Sequence, residues 1–182
     1  METTQKPKEI IGHLMVLSTI VIYSFNTNFM KILMPEWIGP HGLVLIRCTV
    51  MAFGFWIISL FIPANKQQAK PKRKDILMMM LGGLLGIGGN LLLYINGLNI
   101  TGPSFTGDVL IFVASVFNAL YLILIKPYTQ KFNSIIVMRW MSLAAFILVL
   151  PFGLHQALKA PLFTSEAPVH IWLELGFVLI LA

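Results

Sequence analysis

The chain has 182 residues, of which 57% are hydrophobic and only 11% charged, and its mean hydropathy is +0.83. Soluble domains carry about a quarter charged residues, so this composition excludes an ordinary water-soluble fold and indicates an all-α, multi-pass transmembrane protein in a lipid bilayer. The formal charge of +6 could suit nucleic acid, but the basic residues cluster beside apolar runs, which is the pattern of bilayer orientation and argues against a nucleic-acid partner. Cys48 is the single cysteine and lies inside an apolar run, so neither an intrachain disulfide nor a cysteine metal cluster is available.

In chain order, the first expected span covers about residues 11–34 and ends at PEWIGP, where Pro35, Gly39 and Pro40 supply a turn. It is long enough to remain as a helix, and METTQKPKEI before it lacks the features of a cleaved signal peptide. The second span, about 39–62, stops at Pro63 and leads into the polar stretch ANKQQAKPKRKD. A third, about 76–98, is followed by the turn NITGPSFTGD. The fourth and fifth, about 107–125 and 135–154, are joined by KPYTQKFNS, read as a loop. A last apolar run from Val169 reaches Ala182 after 14 positions, short of the roughly 20 residues that cross about 30 Å of hydrocarbon, so a truncated sixth segment is expected.

With the N-terminus in the cytoplasm, Lys6, Lys8, Lys66, Lys70, Lys72, Arg73, Lys74, Lys126 and Lys131 all fall on the cytoplasmic side. Lys31 and Lys159 then lie near outer ends. This follows the positive-inside rule with the 64–75 loop inside, and the expected location is a bacterial inner (plasma) membrane. Lys66 to Lys74 reads first as a topology anchor, and second as a headgroup or partner site.

Polar groups within the spans carry what functional information the chain offers. Arg47 sits about eight residues, or about 12 Å, inside the second span, where it either snorkels to the headgroups or serves a buried role: neutralising a substrate carboxylate, pairing with an acidic side chain, or binding backbone carbonyls of a facing helix. In the first span, His13, Ser24, Asn28 and Lys31 are spaced by 11, 4 and 3 positions and share a helical stripe, which is expected to face other helices or a watery path. Hydrogen-bonding glue between helices explains such a stripe equally well. The third span contains LGGLLGIGGNLLLYINGLN, in which Gly82 and Gly86 form a small-residue packing face that continues through Asn90 to Tyr94. It is not a phosphate loop, because no strand precedes it and no Gly-Lys-Ser/Thr follows.

On the fourth span, Ser115, Asn118 and Tyr121 share a face and could either touch a passing metabolite or pin a neighbouring helix. Asp108, at the start of that span, suits helix capping or the macrodipole. Ser24, Asn28, Arg47, Asn90, Tyr94, Asn118 and Tyr121 are thus the substrate-path candidates, with His13 and Glu174 as candidates for ion coupling. No metal-ligand cluster, nucleophile with a base, Walker motif or cofactor motif is visible, so an enzyme is not expected and an ion or solute gradient is the expected energy source.

The run IGHLMVLSTIVIYSFNTNFMKILMP has a loose echo in TGDVLIFVASVFNALYLILIKPYTQ, aligning Gly12 with Gly107 and Lys31 with Lys126. Each copy is followed by a span carrying an arginine, Arg47 or Arg139, and the two copies start on opposite sides of the membrane, the arrangement of inverted transporter repeats. VIYSFNTNFMKILM, LVLIRCTVMAF, GLLGIGGNLLLYINGLNITGPS and GDVLIFVASVFNALYLILIKPYTQKFNSIIVMRWM together resemble the EamA-type drug/metabolite transporters. The resemblance implies ten helices in two inverted five-helix repeats, cytoplasmic termini, and export or exchange of small metabolites, amino acids among them.

Here it implies a partial bundle. Residues 1–104 form a first repeat of three helices, and residues 105–182 a second with two helices and a truncated third, two spans being skipped after GLNITGPS. The function expected is a secondary carrier for a small polar or amphipathic metabolite, working by alternating access. The alternative is a transport-incompetent fragment acting as a structural or partner-binding membrane protein, with a homodimer open to it through the Gly82/Gly86 face.

Overall fold

The computed structural model describes residues 6–34, 36–61, 71–100, 105–164 and 167–180, with side-chain surroundings from His13 onward, Thr164 aside. The 62–70 segment, with Lys66 and Lys70, lies outside the described residues. All described regular structure is helical: α1 (Lys6–Leu33), α2 (Pro40–Phe61), α3 (Arg73–Asn99), α4 (Phe105–Lys131), α5 (Ser134–Leu158), the short α6 (Pro161–Thr164) and α7 (Val169–Ile180). Five of these are long and apolar enough to cross a membrane. Hydrocarbon offers no partner for a free N–H or C=O, so long apolar runs close their own backbone bonds as helices. At 12 residues, α7 is about 18 Å long and too short to span.

The outer surface bears the same imprint. Leu17, Ile20, Phe53, Phe112, Ile123 and Phe152 are all more than half exposed, a surface that matches lipid and would aggregate in water. The interior is carried by two apolar clusters. The larger joins Met30 and Leu33 of α1, Val44 and Cys48 of α2, Ile95 of α3, Val149 of α5 and Ile171 and Val178 of α7. A smaller one at the other end gathers Met79, Ile125, Val137 and Met141.

The most extensive pairing is between α2 and α5, which run antiparallel along their full length. His41 meets Gln156, Leu45 meets Gly153, Trp56 meets Trp140 at 6.1 Å between ring centroids, and Ser59 meets Arg139. Lipid supplies no hydrophobic drive between helices, so such pairs depend on close packing and hydrogen bonds. Two glycines of α3 bring that helix equally close to α5 and α4. A Cβ on Gly83 would collide with the Met141 backbone of α5, and one on Gly86 with the Tyr121 ring of α4.

From Leu84 to Gly89, a stretch that includes Gly86, α3 passes through a π-helical turn before resuming α-geometry at Asn90. Such turns hold one residue more than an α turn.

One boundary differs from the sequence expectation. KPYTQKFNS is not a loop: α4 continues through Pro127 to Lys131, leaving Phe132 and Asn133 as the connection. Proline removes only one N–H, and near a helix end the remaining bonds suffice; Thr129 also folds its hydroxyl back to the Lys126 carbonyl at 3.0 Å. Asn133 then starts α5, its Oδ1 accepting from the Ile135 N–H at 2.9 Å. At this end Asp75 accepts from the Lys72 N–H at 3.0 Å and from Lys131 Nζ at 3.2 Å, tying the start of α3 to the end of α4. Asp108 falls inside the first turn of α4, where its charge opposes the positive end of the helix macrodipole.

Candidate functional site

Arg47 lies two turns into α2 and does not snorkel: the residue is 8% exposed. Its Nη1 donates to the Met30 sulfur of α1 at 3.0 Å, and its Nε is shielded with no hydrogen-bond partner. Among the described residues the one ion pair is Lys131 with Asp75, so this guanidinium is buried without a carboxylate. An uncompensated cation in a low-dielectric interior costs several kcal/mol as a rough guide, and a thioether, a weak acceptor, offsets little of it.

The groups gathered nearby are hydroxyls. Tyr94 of α3 and Thr27 of α1 place their oxygens 3.4 Å apart, and the Tyr23 and Tyr94 rings lie 6.1 Å between centroids. Both phenols are within electrostatic reach of Arg47. The junction of α1, α2 and α3 therefore holds a planar cation with the Tyr23 and Tyr94 phenols within its field and Thr27 beside Tyr94, Tyr23 lying at the exposed edge. That donor set fits a carboxylate or another small anionic or polar group, which guanidinium binds through two parallel N–H bonds.

Of the residues singled out from sequence, Arg47 and Tyr94 belong to this junction. Asn90 is half-buried and donates to the Ala114 carbonyl at 2.6 Å, joining α3 to α4, and Tyr121 packs its ring on Gly86 beside that tie. Gly82 likewise faces α4, at Ile125. Asn118 is exposed on α4.

The stripe of His13, Ser24, Asn28 and Lys31 does not turn inward as expected: all four are exposed. Ser24 donates to the Ile20 carbonyl at 2.9 Å and Asn28 to the Ser24 carbonyl at 3.0 Å, so these side chains are satisfied by their own helix and need no facing partner. Glu174 is half-buried on α7 with Oε2 shielded and unpartnered, and it does not pair with Arg47. Among the described residues no group of three His, Cys, Asp or Glu side chains could hold a metal ion.

Sequence reasoning missed Tyr23, Thr27 and Met30, which gain meaning only once α1 is packed on α2 and α3. It also missed a network at the start of α2. Gln156 Oε1 accepts from the His41 and Gly42 N–H groups at 2.9 and 3.2 Å, satisfying two donors that a helix N-terminus leaves open. The same amide's Nε2 lies 3.2 Å from His41 Nδ1, and Asn96 of α3 lies 3.1 Å from His41 Nε2. His41 thus links three spans. The one advance signal was its position directly after Pro40, which begins the helix and leaves the next N–H groups to be capped.

Among the described residues, five apolar helices long enough to span, packed around a buried arginine, define a multi-pass membrane protein. Residues 10–107 match the EamA-like transporter family, covering about half of the chain, and the protein belongs to that family, which is one of transporters and not of enzymes. No curated protein and no solved structure matches the chain.

Proposed function

We propose that the chain carries the architecture of a secondary carrier that exports or exchanges small polar or amphipathic metabolites, amino acids among them, by alternating access. The observation that carries this reading is Arg47: in a chain of a transporter family, a buried cation with two phenols within its field pairs with no carboxylate among the described residues. A purely structural role is a poor account of a charge that the surrounding packing leaves unpaired. The antiparallel α2–α5 pair, each helix bearing an arginine near its own start, agrees with two repeats of opposite orientation, residues 1–104 and 105–182. The clustering of Lys72, Arg73, Lys74, Lys126 and Lys131 at one end favours that end, and with it the N-terminus, as cytoplasmic in an inner membrane.

A second reading has its own support. From His13 to Phe25 every residue of α1 is exposed, so this helix leaves an open side that a further helix or a second copy could cover. On that reading the chain is a structural or partner-binding membrane protein, and it transports nothing alone.

Counterflow of mixed amino acids and metabolites into proteoliposomes, with and without an imposed pH gradient, separates the two. The carrier reading expects saturable accumulation by this chain, with a ten-helix relative as the positive control. Flux by the relative alone assigns this chain to the second reading, and flux by neither, with folding and orientation verified, removes the carrier reading.

A further inference from the structure

Away from the Arg47 junction, a groove of about 330 Å³ runs between α2 and α5, walled by Ala52, Phe53, Trp56, Leu143 and Phe146. We propose that it holds one phospholipid with an anionic headgroup, an acyl chain lying in the groove and the phosphate resting on Arg139. This proposal is independent of what the protein transports.

Four observations converge. The groove is apolar along its walls, and Phe53 at its edge is 61% exposed on a membrane-spanning helix, so its ordinary neighbour is hydrocarbon. Arg139 stands at the end of the groove nearer the helix termini, with its guanidinium 4.8 Å from the Trp56 ring centroid and 5.3 Å from that of Trp140. Trp56 therefore belongs both to the groove wall and to the cation's seat, which joins an apolar slot to a positive charge at interfacial depth. The Trp pair flanking it, set edge to face, is the side-chain type that favours the headgroup level.

The donors there are not met by protein. Arg139 Nε and Trp140 Nε1 are shielded without partners, and the guanidinium's one hydrogen bond is a long 3.4 Å contact to Ser59 Oγ. Among the described side chains no carboxylate pairs with the guanidinium. Asp75 is engaged by Lys131 and the Lys72 N–H, while Lys72, Arg73, Lys74, Lys126 and Lys131 add to the positive field. A phosphate at the guanidinium's unshielded N–H groups supplies the missing counter-charge, and only a lipid brings with it a chain suited to the groove.

The test is native mass spectrometry of the full chain in a maltoside detergent, titrated with dioleoylphosphatidylglycerol or dioleoylphosphatidylcholine. The expected result is about five-fold tighter binding of the glycerol lipid, the preference one basic residue gives at an anionic membrane surface. Arg139→Gln abolishes that preference, Arg139→Lys keeps it, and Ala52→Leu, which fills the groove, weakens both lipids alike. The Lys variant and the wild-type comparison decide the matter should the Gln variant not fold. Equal binding of the two lipids by the wild type, a preference surviving in Arg139→Gln or lost in a folded Arg139→Lys, or no effect of Ala52→Leu overturns the proposal. So does competition by glycerophosphate as effective as that by the intact lipid, which would reassign Arg139 to a free anion.

Discussion

Arg47 and Met30 meet across the α1–α2 contact at 3.0 Å, guanidinium to thioether, with no carboxylate completing the pair. Replacing a buried ion by an apolar side chain of similar volume is often neutral or stabilising, by about 1–4 kcal/mol. Arg47→Met is therefore expected to hold or raise the thermal midpoint in detergent. In a transport-competent ten-helix relative, the matching change is expected to lower counterflow at least about tenfold, because losing a buried charge contact costs about 2 kcal/mol or more. A large drop in midpoint instead would assign the arginine to structure.

Gly83 packs against the backbone of Met141, which cannot swing aside as a side chain can. Gly83→Ala is expected to separate α3 from α5 and cost about 1–3 kcal/mol. Gly54 has nothing within 4 Å of where a Cβ would stand. Gly54→Ala is accordingly expected to be neutral or to gain up to about 1 kcal/mol from helix propensity. Denaturation of the two variants in one detergent reads the contrast, and equal effects would rule out the close approach at Gly83.

Gln156 caps the start of α2 from across the bundle, accepting from His41 and Gly42. Gln156→Ala is expected to cost about 1 kcal/mol and to speed hydrogen exchange at those two amides selectively. Gln156→Glu retains an acceptor and adds negative charge at a helix N-terminus, so protection there should be kept. Unchanged exchange in the alanine variant would mean that another group caps this turn.

Asn90 reaches the Ala114 carbonyl at 2.6 Å. Because that carbonyl lies within a helix, Asn90→Ala should cost only about 0.6 kcal/mol, the usual worth of such a tie inside a membrane. A loss several times larger, measured by the same unfolding assay, would show that the amide holds more than α4.

The five spans could be read directly because length and apolarity alone decide them: nothing else in a 22-residue run such as Pro40–Phe61 is stable in hydrocarbon. The direction a polar side chain faces was less legible. Helical spacing put Ser24 and Asn28 on one stripe, but it does not reveal that each is satisfied by a carbonyl one turn back, which frees both to face outward. Pro127 was misleading for a similar reason, since its one missing donor ends a helix only where the following bonds are also lost. Half of the polar junction was invisible, because Thr27 and Tyr94 are 67 positions apart and their closeness depends on how α1 settles against α3.

The π-helical turn at Leu84–Gly89 sets the angular phase between the two halves of α3. One surplus residue in a helix turns everything beyond it by about 100° relative to an uninterrupted α-helix. Gly82 and Gly83, before the surplus, address α4 and α5, while Tyr94 and Asn96, after it, address Thr27 and His41. Deleting a single residue between positions 84 and 89 would leave the first half seated and swing the tyrosine and the asparagine away from both partners. The polar junction thus depends on a count of residues as much as on their identity, and an indel there would erase it while every side chain named in it was still present.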